Sequence, residues 1–195
     1  MLDREACERR VYRLATLLTG NPNAATRVIT RVVDAQPDLR AIDGAHMDRL
    51  AILHSREIRP AVLVSDLVPH PVARALADLT LQQREAWVLA RVYRTPEREM
   101  SRAMDCSLTA TRRHLDLAAA AMESSIDEDA DHIADTILNY SQSLDVPQFY
   151  RIQRRRRRRL KLAVRIAAVV LAAAAIIAAA ILVYQMAQPV ENPGA

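Results

Sequence analysis

The fold is predicted first from the segment Ala75–Ala118, which has the sequence ALADLTLQQREAWVLARVYRTPEREMSRAMDCSLTATRRHLDLA. Its first helix is predicted to open at Thr80, because Thr80-Leu-Gln-Gln83 has the pattern of a capping box. In that motif the threonine and glutamine side chains satisfy backbone N–H groups that the helix itself leaves unpaired. The apolar residues that this helix is expected to turn inward are Leu81, Val88, Leu89 and Val92.

Two further helices follow in the same stretch. Thr95-Pro96 is interpreted as a cap followed by proline in the first turn, which starts a short helix to about Met104. Asp105 and Cys106 make a turn, and Ser107 caps a longer helix. The side chains expected on one face of that helix are Leu108, Thr111, Leu115 and Ala118. A short helix, a turn of about three residues and a second helix is helix-turn-helix spacing.

The first 60 residues predict three more helices. One covers residues 4–18 and stops at Thr19-Gly20, because glycine commonly follows a helix end. Asn21-Pro22 begins the next as cap and first-turn proline. Its apolar stripe consists of Ala25, Val28, Ile29, Val32 and Val33. A third helix runs from about Ala45 to Arg59, and the prolines in 60–71 mark that segment as a linker.

The composition favours an all-α chain without an enzymatic site. Only three glycines occur, and no alternating β-branched runs are present. Cys7 and Cys106 are far apart and fit no disulfide framework, which indicates a reducing compartment. The histidines are scattered, and no zinc-ligand spacing, glycine-rich phosphate loop or nucleophile motif is visible. No catalytic residue, metal or cofactor is predicted.

The C-terminal part of the chain predicts a membrane span. Residues 166–184 form nineteen positions without a charge, proline or glycine, and nine of them are Leu, Ile or Val. A helix of this length covers roughly 28 Å, close to the thickness of a hydrocarbon core. A buried core helix is the alternative, but such a helix normally shows one polar stripe. The small-residue spacings Ala168/Ala172 and Ala175/Ala179 would allow two copies to pair as a dimer.

A basic segment, 151–165, precedes this span. Basic residues beside a span stay on the cytoplasmic side and contact anionic headgroups, so the N-terminus is expected inside. Nucleic acid is the alternative ligand of the run. The residues predicted to anchor the chain to membrane lipid are Arg154, Arg155, Arg156, Arg157, Arg158, Arg159, Lys161 and Arg165.

The charge is distributed unevenly along the chain. Residues 151–195 hold nine of the 27 Lys and Arg and one of the 23 Asp and Glu, whereas residues 124–150 hold six acids and no Lys or Arg. The segment 124–146 therefore predicts an acidic amphipathic helix. Its cluster Asp127, Glu128, Asp129 and Asp131 is interpreted as a solvated helix start, favourable to the helix dipole, and not as a metal site.

With these motifs in place, the chain resembles the sigma-70 family of RNA polymerase sigma factors, in its short, two-domain extracytoplasmic-function form. Residues 75–118 are similar to region 4 of that family without a gap: "LTLQQREAWVL" to its first helix, "EREMSRAM" to its E-I-A-x-x-L helix, and "CSLTATRRHLDLA" to its recognition helix. The first sixty residues are similar to region 2 through "RLATLLTGNPNAATRVITRVV". The resemblance implies DNA and core RNA polymerase as partners, at a bacterial inner membrane.

Region 2 of this chain departs from the family pattern. Where the family places an acid, a glutamine and a neighbouring acid against the polymerase clamp, this chain has Arg27, Thr30 and Arg31. Reversed charge at a complementary contact can cost several kcal/mol. The following helix also lacks the aromatic residues with which the family opens a promoter. A scaffold that binds a protein partner at the membrane is therefore the alternative function.

The recognition helix supplies the candidate DNA contacts. Residues near the start of such a helix face the bases, and arginine can bind phosphate or the acceptor edge of guanine. The predicted DNA-binding residues are Leu108, Thr109, Arg112, Arg113 and Asp116. Residues 84–123 carry seven Arg and six acids, so the module is nearly neutral. The alternative is an ordinary helical packing unit with a solvated face.

The sequence thus predicts an all-α, membrane-tethered, sigma-70-like regulator that crosses the bacterial inner membrane once, with a cytoplasmic N-terminus. The predicted parts are a region 2-like domain (1–59), a linker (60–71), a region 4-like helix-turn-helix domain (72–123), an acidic helix and linker (124–150), a basic juxtamembrane segment (151–165), the transmembrane helix (166–184) and a short external tail (185–195).

Overall fold

The structure is a computed structural model of the 195-residue chain. It describes residues 3–58, 70–126, 130–147 and 150, together with 163–164, 166–172, 175–176 and 179. All regular structure in these residues is helical, as predicted. The chain divides into two compact units, residues 1–147 and 148–195.

Eight α-helices lie in the described part of the first unit. Their bounds are α1 Arg4–Thr19, α2 Pro22–Ala35, α3 Gly44–Glu57, α4 His70–Asp78, α5 Leu81–Trp87, α6 Glu97–Met104, α7 Leu108–Ser125 and α8 Ala130–Ser143. A 3-10 turn, Leu39–Ala41, joins α2 to α3, and a π-helical turn, Val88–Val92, continues α5.

Local capping chemistry sets several of these helix ends, as the sequence predicts. Gly20 ends α1 with φ 63°, and its N–H donates to the Thr16 carbonyl at 2.7 Å. The Asn21 side chain accepts from the N–H groups of Asn23 and Ala24 at the start of α2. Both hydrogen bonds of the Thr80–Gln83 capping box are present at α5. These bonds satisfy backbone groups that a helix end leaves unpaired.

Other sequence predictions are wrong in detail. Leu81 is 40% exposed and does not face inward, because it occupies the first, solvent-facing position of α5. Pro96, and not Thr95, is the N-cap of α6. The Thr95 N–H donates to the Leu89 carbonyl at 2.9 Å, so Thr95 still belongs to the end of the preceding π-helical turn. α7 also extends to Ser125, into the segment that was assigned to the acidic helix.

The core of the first unit is continuous. Helices α1, α2 and α3 pack together around Val11, Val28 and Ile29, all of which have no exposed surface. α5, α6 and α7 pack around Trp87 and Leu89, which are equally inaccessible. α3 packs directly on α6, so the predicted region 2-like and region 4-like segments contact each other. The predicted linker lies mostly outside the described residues, and its last two positions begin α4.

The described positions of the second unit between 163 and 179 are helical. Their large apolar side chains are exposed, from 56% for Ile166 to 70% for Leu171 and Ile176. Among the residues that the structure describes, no helix has both the length and the apolar character needed to cross a membrane. Much of the predicted span, 166–184, lies outside them.

Candidate nucleic-acid interface

The helix-turn-helix predicted from the sequence is formed by α6, the turn at 105–107 and α7. Asp105 ends α6 with φ 57°, in the left-handed region that Asp enters more readily than most residues. The Cys106 N–H then donates to the Ser101 carbonyl at 3.1 Å. The Ser107 hydroxyl caps α7 by accepting from the Ala110 N–H at 3.2 Å. Capping thus fixes both the end of α6 and the start of α7.

The inner face of α7 is buried and fixes this helix against its neighbours. Thr111, Ala118 and Met122 are buried, and α7 packs on α5 as well as on α6. Thr111 is a polar residue at a core position, but its hydroxyl donates to the Ser107 carbonyl at 3.0 Å. Its burial therefore leaves no hydrogen-bonding group unsatisfied. Cys106 Sγ lies 3.2 Å from the same hydroxyl oxygen.

The predicted DNA-binding residues lie together on the first three turns of α7. Thr109, Arg112, Arg113 and Asp116 are exposed, whereas Leu108 is half-buried. Leu108 therefore offers less solvent-accessible surface to a ligand than the other four residues do. A contact between any of these residues and DNA remains a prediction.

The arginines of α6 and α7 fall into two groups. Arg112 donates from Nε and Nη2 to Oε2 of Glu97, at 2.9 and 2.7 Å, and Arg102 Nη1 lies 3.6 Å from Oδ2 of Asp43. Arg98 and Arg113 form no ion pair within the described residues. Hydrogen bonding to Glu97 is the main cause that raises the pKa of Arg112. Two of the four positive charges are therefore compensated within the protein.

The electrostatic balance of this surface limits its attraction for phosphate. α6 and α7 place Glu97, Glu99 and Asp116 beside their arginines, and all three acids are exposed. Sequence-independent binding to DNA depends on the number of phosphates that a protein neutralises. A nearly neutral face therefore gives weak attraction by itself, and base contacts or a high local concentration must supply the rest.

Arg56 of α3 forms a buried ion pair with Glu85 of α5 and also donates a hydrogen bond to the end of α6. Arg56 donates from Nε to Oε1 of Glu85 at 2.8 Å and from Nη2 to Oε2 at 2.5 Å. Its Nη2 also donates to the Met104 carbonyl at the end of α6, at 3.1 Å. Burial raises the pKa of Glu85, and the hydrogen bonds from Arg56 oppose that rise. The orientation of α6 thus depends on a side chain from the first half of the chain.

Arg84 makes a second link between the two halves. It donates to the carbonyls of Leu76, Ala77 and Leu79 around the end of α4. It also donates to the Leu18 carbonyl near the end of α1, at 2.9 Å. Burial lowers the pKa of Arg84. Its charge is favourably placed because helix C-termini carry partial negative charge.

The candidate polymerase contacts lie on α2. Arg27 and Arg31 are exposed and Thr30 is half-buried. Arg31 Nη1 donates to Oε2 of Glu57 on α3 at 2.5 Å, and the Thr30 hydroxyl donates to the Thr26 carbonyl at 2.8 Å. Arg31 is therefore charge-compensated within the protein.

Some sequence predictions lie outside the described residues. All eight predicted membrane-anchor residues, from Arg154 to Arg165, do so, as do Asp127, Glu128 and Asp129 of the acidic cluster. Asp131 is described, and its carboxylate lies 3.9 Å from Arg91 at the π-helical turn. Cys7 and Cys106 are both free thiols.

Sequence reasoning missed Glu97, Arg56 and Glu85. Each makes its contact with a residue at least fifteen positions away, so no local pattern marks the pair. The one available signal was an acid directly after Pro96, in the first turn of a short helix.

Comparisons of this chain with known proteins give no match to a family model, to a curated protein or to a solved structure.

Proposed function

We propose that this chain is a membrane-tethered, sigma-70-like regulator of transcription that contacts DNA through α6, the 105–107 turn and α7. The observation that carries the proposal is the capped helix-turn-helix whose second helix exposes Thr109, Arg112 and Arg113 near its start. In helix-turn-helix proteins this part of the second helix enters the major groove. The family resemblance of residues 75–118 supports the same reading.

The membrane tether rests on the second unit. Its described large apolar side chains, including Val169 and Leu171, are more than half exposed, so little protein covers them. A lipid environment would remove this apolar surface from water, which is favourable by about 25 cal/mol for each Å² buried. We propose insertion into a bacterial inner membrane through 166–184, anchored on the cytoplasmic side by the basic segment 151–165. Pairing through Ala168/Ala172 and Ala175/Ala179 remains part of this proposal.

Binding of synthetic duplex DNA by the full chain in a non-ionic detergent tests the DNA contact. Fluorescence anisotropy across a salt series should show affinity that falls with salt. The slope of log K against log salt is negative, and removing one phosphate contact reduces its magnitude by about 0.9. We expect Arg113→Ala to cause such a decrease, whereas Arg40→Ala, which removes an exposed arginine from the first half of the chain, leaves the slope unchanged.

Extraction of membranes at alkaline pH tests the tether. We expect the full chain to remain with the lipid. A protease added on the external side of the membrane should leave residues 1–147 intact. Release of the chain by alkali would contradict the membrane assignment and leave the DNA assignment standing.

A second candidate function is a scaffold that binds a protein partner at the membrane and has lost both DNA and polymerase. The replacement of family acids by Arg27 and Arg31 on α2 favours it, and Arg27 is exposed, whereas the charge of Arg31 is paired with Glu57. Capture of core RNA polymerase by the full chain, abolished by Arg27→Glu, would argue against the scaffold.

A further inference from the structure

The Arg112–Glu97 contact has a geometry that bears on base recognition. A guanidinium has five N–H donors in one plane: one on Nε and two on each Nη. Glu97 accepts from Nε and Nη2 with a single oxygen, Oε2. It therefore occupies the side of the guanidinium and leaves the end, formed by Nη1 and the second N–H of Nη2, without an intramolecular hydrogen bond among the described residues.

The free end of Arg112 matches one base edge. Guanine presents two acceptors, O6 and N7, in the major groove, and paired arginine donors bind them together. Arg112 lies in the second turn of α7 and is 58% exposed, so this end is accessible. An arginine side chain that is already held by hydrogen bonds from Nε and Nη2 loses less conformational entropy on binding than one that must first be ordered.

Arg113, the next residue, provides the contrast. It is exposed but makes no ion pair within the described residues. An exposed arginine without an ion-pair partner suits a phosphate contact, which positions the protein without reading sequence. Arg112 faces two acids, Glu97 and Asp116, and both raise the pKa of its guanidinium. These acids weaken its attraction for phosphate, but Glu97 leaves the donors at the end of the guanidinium available to a base.

We propose that Glu97 is a specificity-determining residue: it orients Arg112 to bind guanine end-on, while Arg113 contacts the phosphate backbone. Glu97 acts through Arg112 and is thus a positioning residue. This inference rests on the proposed function, since it assigns roles within the same DNA-binding surface.

Selection from a pool of synthetic duplexes with a randomised central segment tests the assignment, with the full chain in detergent. Wild type should enrich sites with guanine at one position, favoured about tenfold or more over other bases. Arg112→Lys keeps the positive charge but lacks the planar guanidinium with its paired N–H donors. It should lose this preference while the salt dependence of binding stays the same.

Two substitutions at Glu97 separate orientation from charge. Glu97→Ala removes both, so we expect weak sequence-independent binding to strengthen and the guanine preference to fall. Glu97→Gln removes the same charge but keeps an acceptor oxygen, so it should strengthen weak binding equally and retain part of the preference. Glu123→Ala removes an exposed acid from the last turns of α7 and is the matched control, with the preference unchanged.

The outcomes distinguish this inference from the function on which it rests. A guanine preference that Glu97→Ala leaves intact, or that does not depend on Arg112, overturns the role of Glu97 while DNA binding stands. A wild-type chain that binds no duplex at any salt concentration overturns the proposed function itself, and the orientation role with it.

Discussion

Removing Arg56 should destabilise the fold strongly, because it leaves the Glu85 carboxylate buried without its partner. The Glu85 side chain is 3% exposed and that of Arg56 is 30% exposed. Breaking a buried pair in this way costs about 3–5 kcal/mol. Water reaches one side of Arg56, which places the expected cost of Arg56→Met near the lower end, at about 3 kcal/mol. That is a large share of a typical total stability of about 5–15 kcal/mol.

Urea unfolding of the full chain, followed by tryptophan fluorescence, measures this cost. Trp87 is the only tryptophan, and it lies fully buried in α5 two residues after Glu85. Arg31→Met is the matched control, because it breaks an exposed pair in which Arg31 and Glu57 are 50% and 47% exposed. We expect that control to cost less than about 1 kcal/mol.

Acidic pH should reduce the cost of Arg56→Met. Burial raises the pKa of Glu85 and Arg56 opposes the rise, so removing Arg56 raises the pKa further. A carboxyl group whose folded pKa exceeds its unfolded value binds its proton more readily in the folded state. Its penalty is therefore full above the folded pKa and fades as the pH falls toward the unfolded value.

The double variant Arg56→Met/Glu85→Leu should recover most of the lost stability, since apolar groups of similar size often replace a buried pair at little cost. A loss below about 1 kcal/mol for Arg56→Met, or a double variant as unstable as the single one, would refute this account of the pair.

Two other substitutions test links described above. Asp105 has φ 57°, so Asp105→Gly should be more stable than Asp105→Ala by about 1 kcal/mol in thermal unfolding, because both lose the ion pair with Arg49 but only Ala keeps the strain. Equal stability of the two would contradict the strain. Arg84→Met should cost about 3 kcal/mol, because it removes the donor shared by four carbonyls. Arg84→Lys should not restore that stability, since its three donors cannot meet four carbonyls; full recovery would show that charge alone suffices.

The features predictable from the sequence are those set by neighbouring residues. The helix start at Asn21-Pro22, the helix end at Gly20 and the Thr80 capping box each depend on residues within four positions of one another. The left-handed turn at Asp105 and the Ser107 cap belong to the same class. Because this chemistry is local, it can be predicted without tertiary structure.

Features that depend on packing were not predictable. The π-helical turn at Val88–Val92 lies inside a regular apolar pattern, and no residue in it signals the change. Arg56 on α3 pairs with Glu85 on α5, 29 positions away. The Glu97–Arg112 pair likewise depends on how α6 and α7 cross. The sequence therefore identified the exposed arginines of the candidate site but not the acid that hydrogen-bonds to one of them.

Whether this chain contacts DNA can be measured as duplex binding by the full chain, with and without core RNA polymerase, across a salt series. We expect binding that weakens as salt rises, with a salt dependence that Arg113→Ala reduces by about one phosphate contact. Absence of binding in both conditions, or binding that Arg112→Ala and Arg113→Ala leave unchanged, would contradict it.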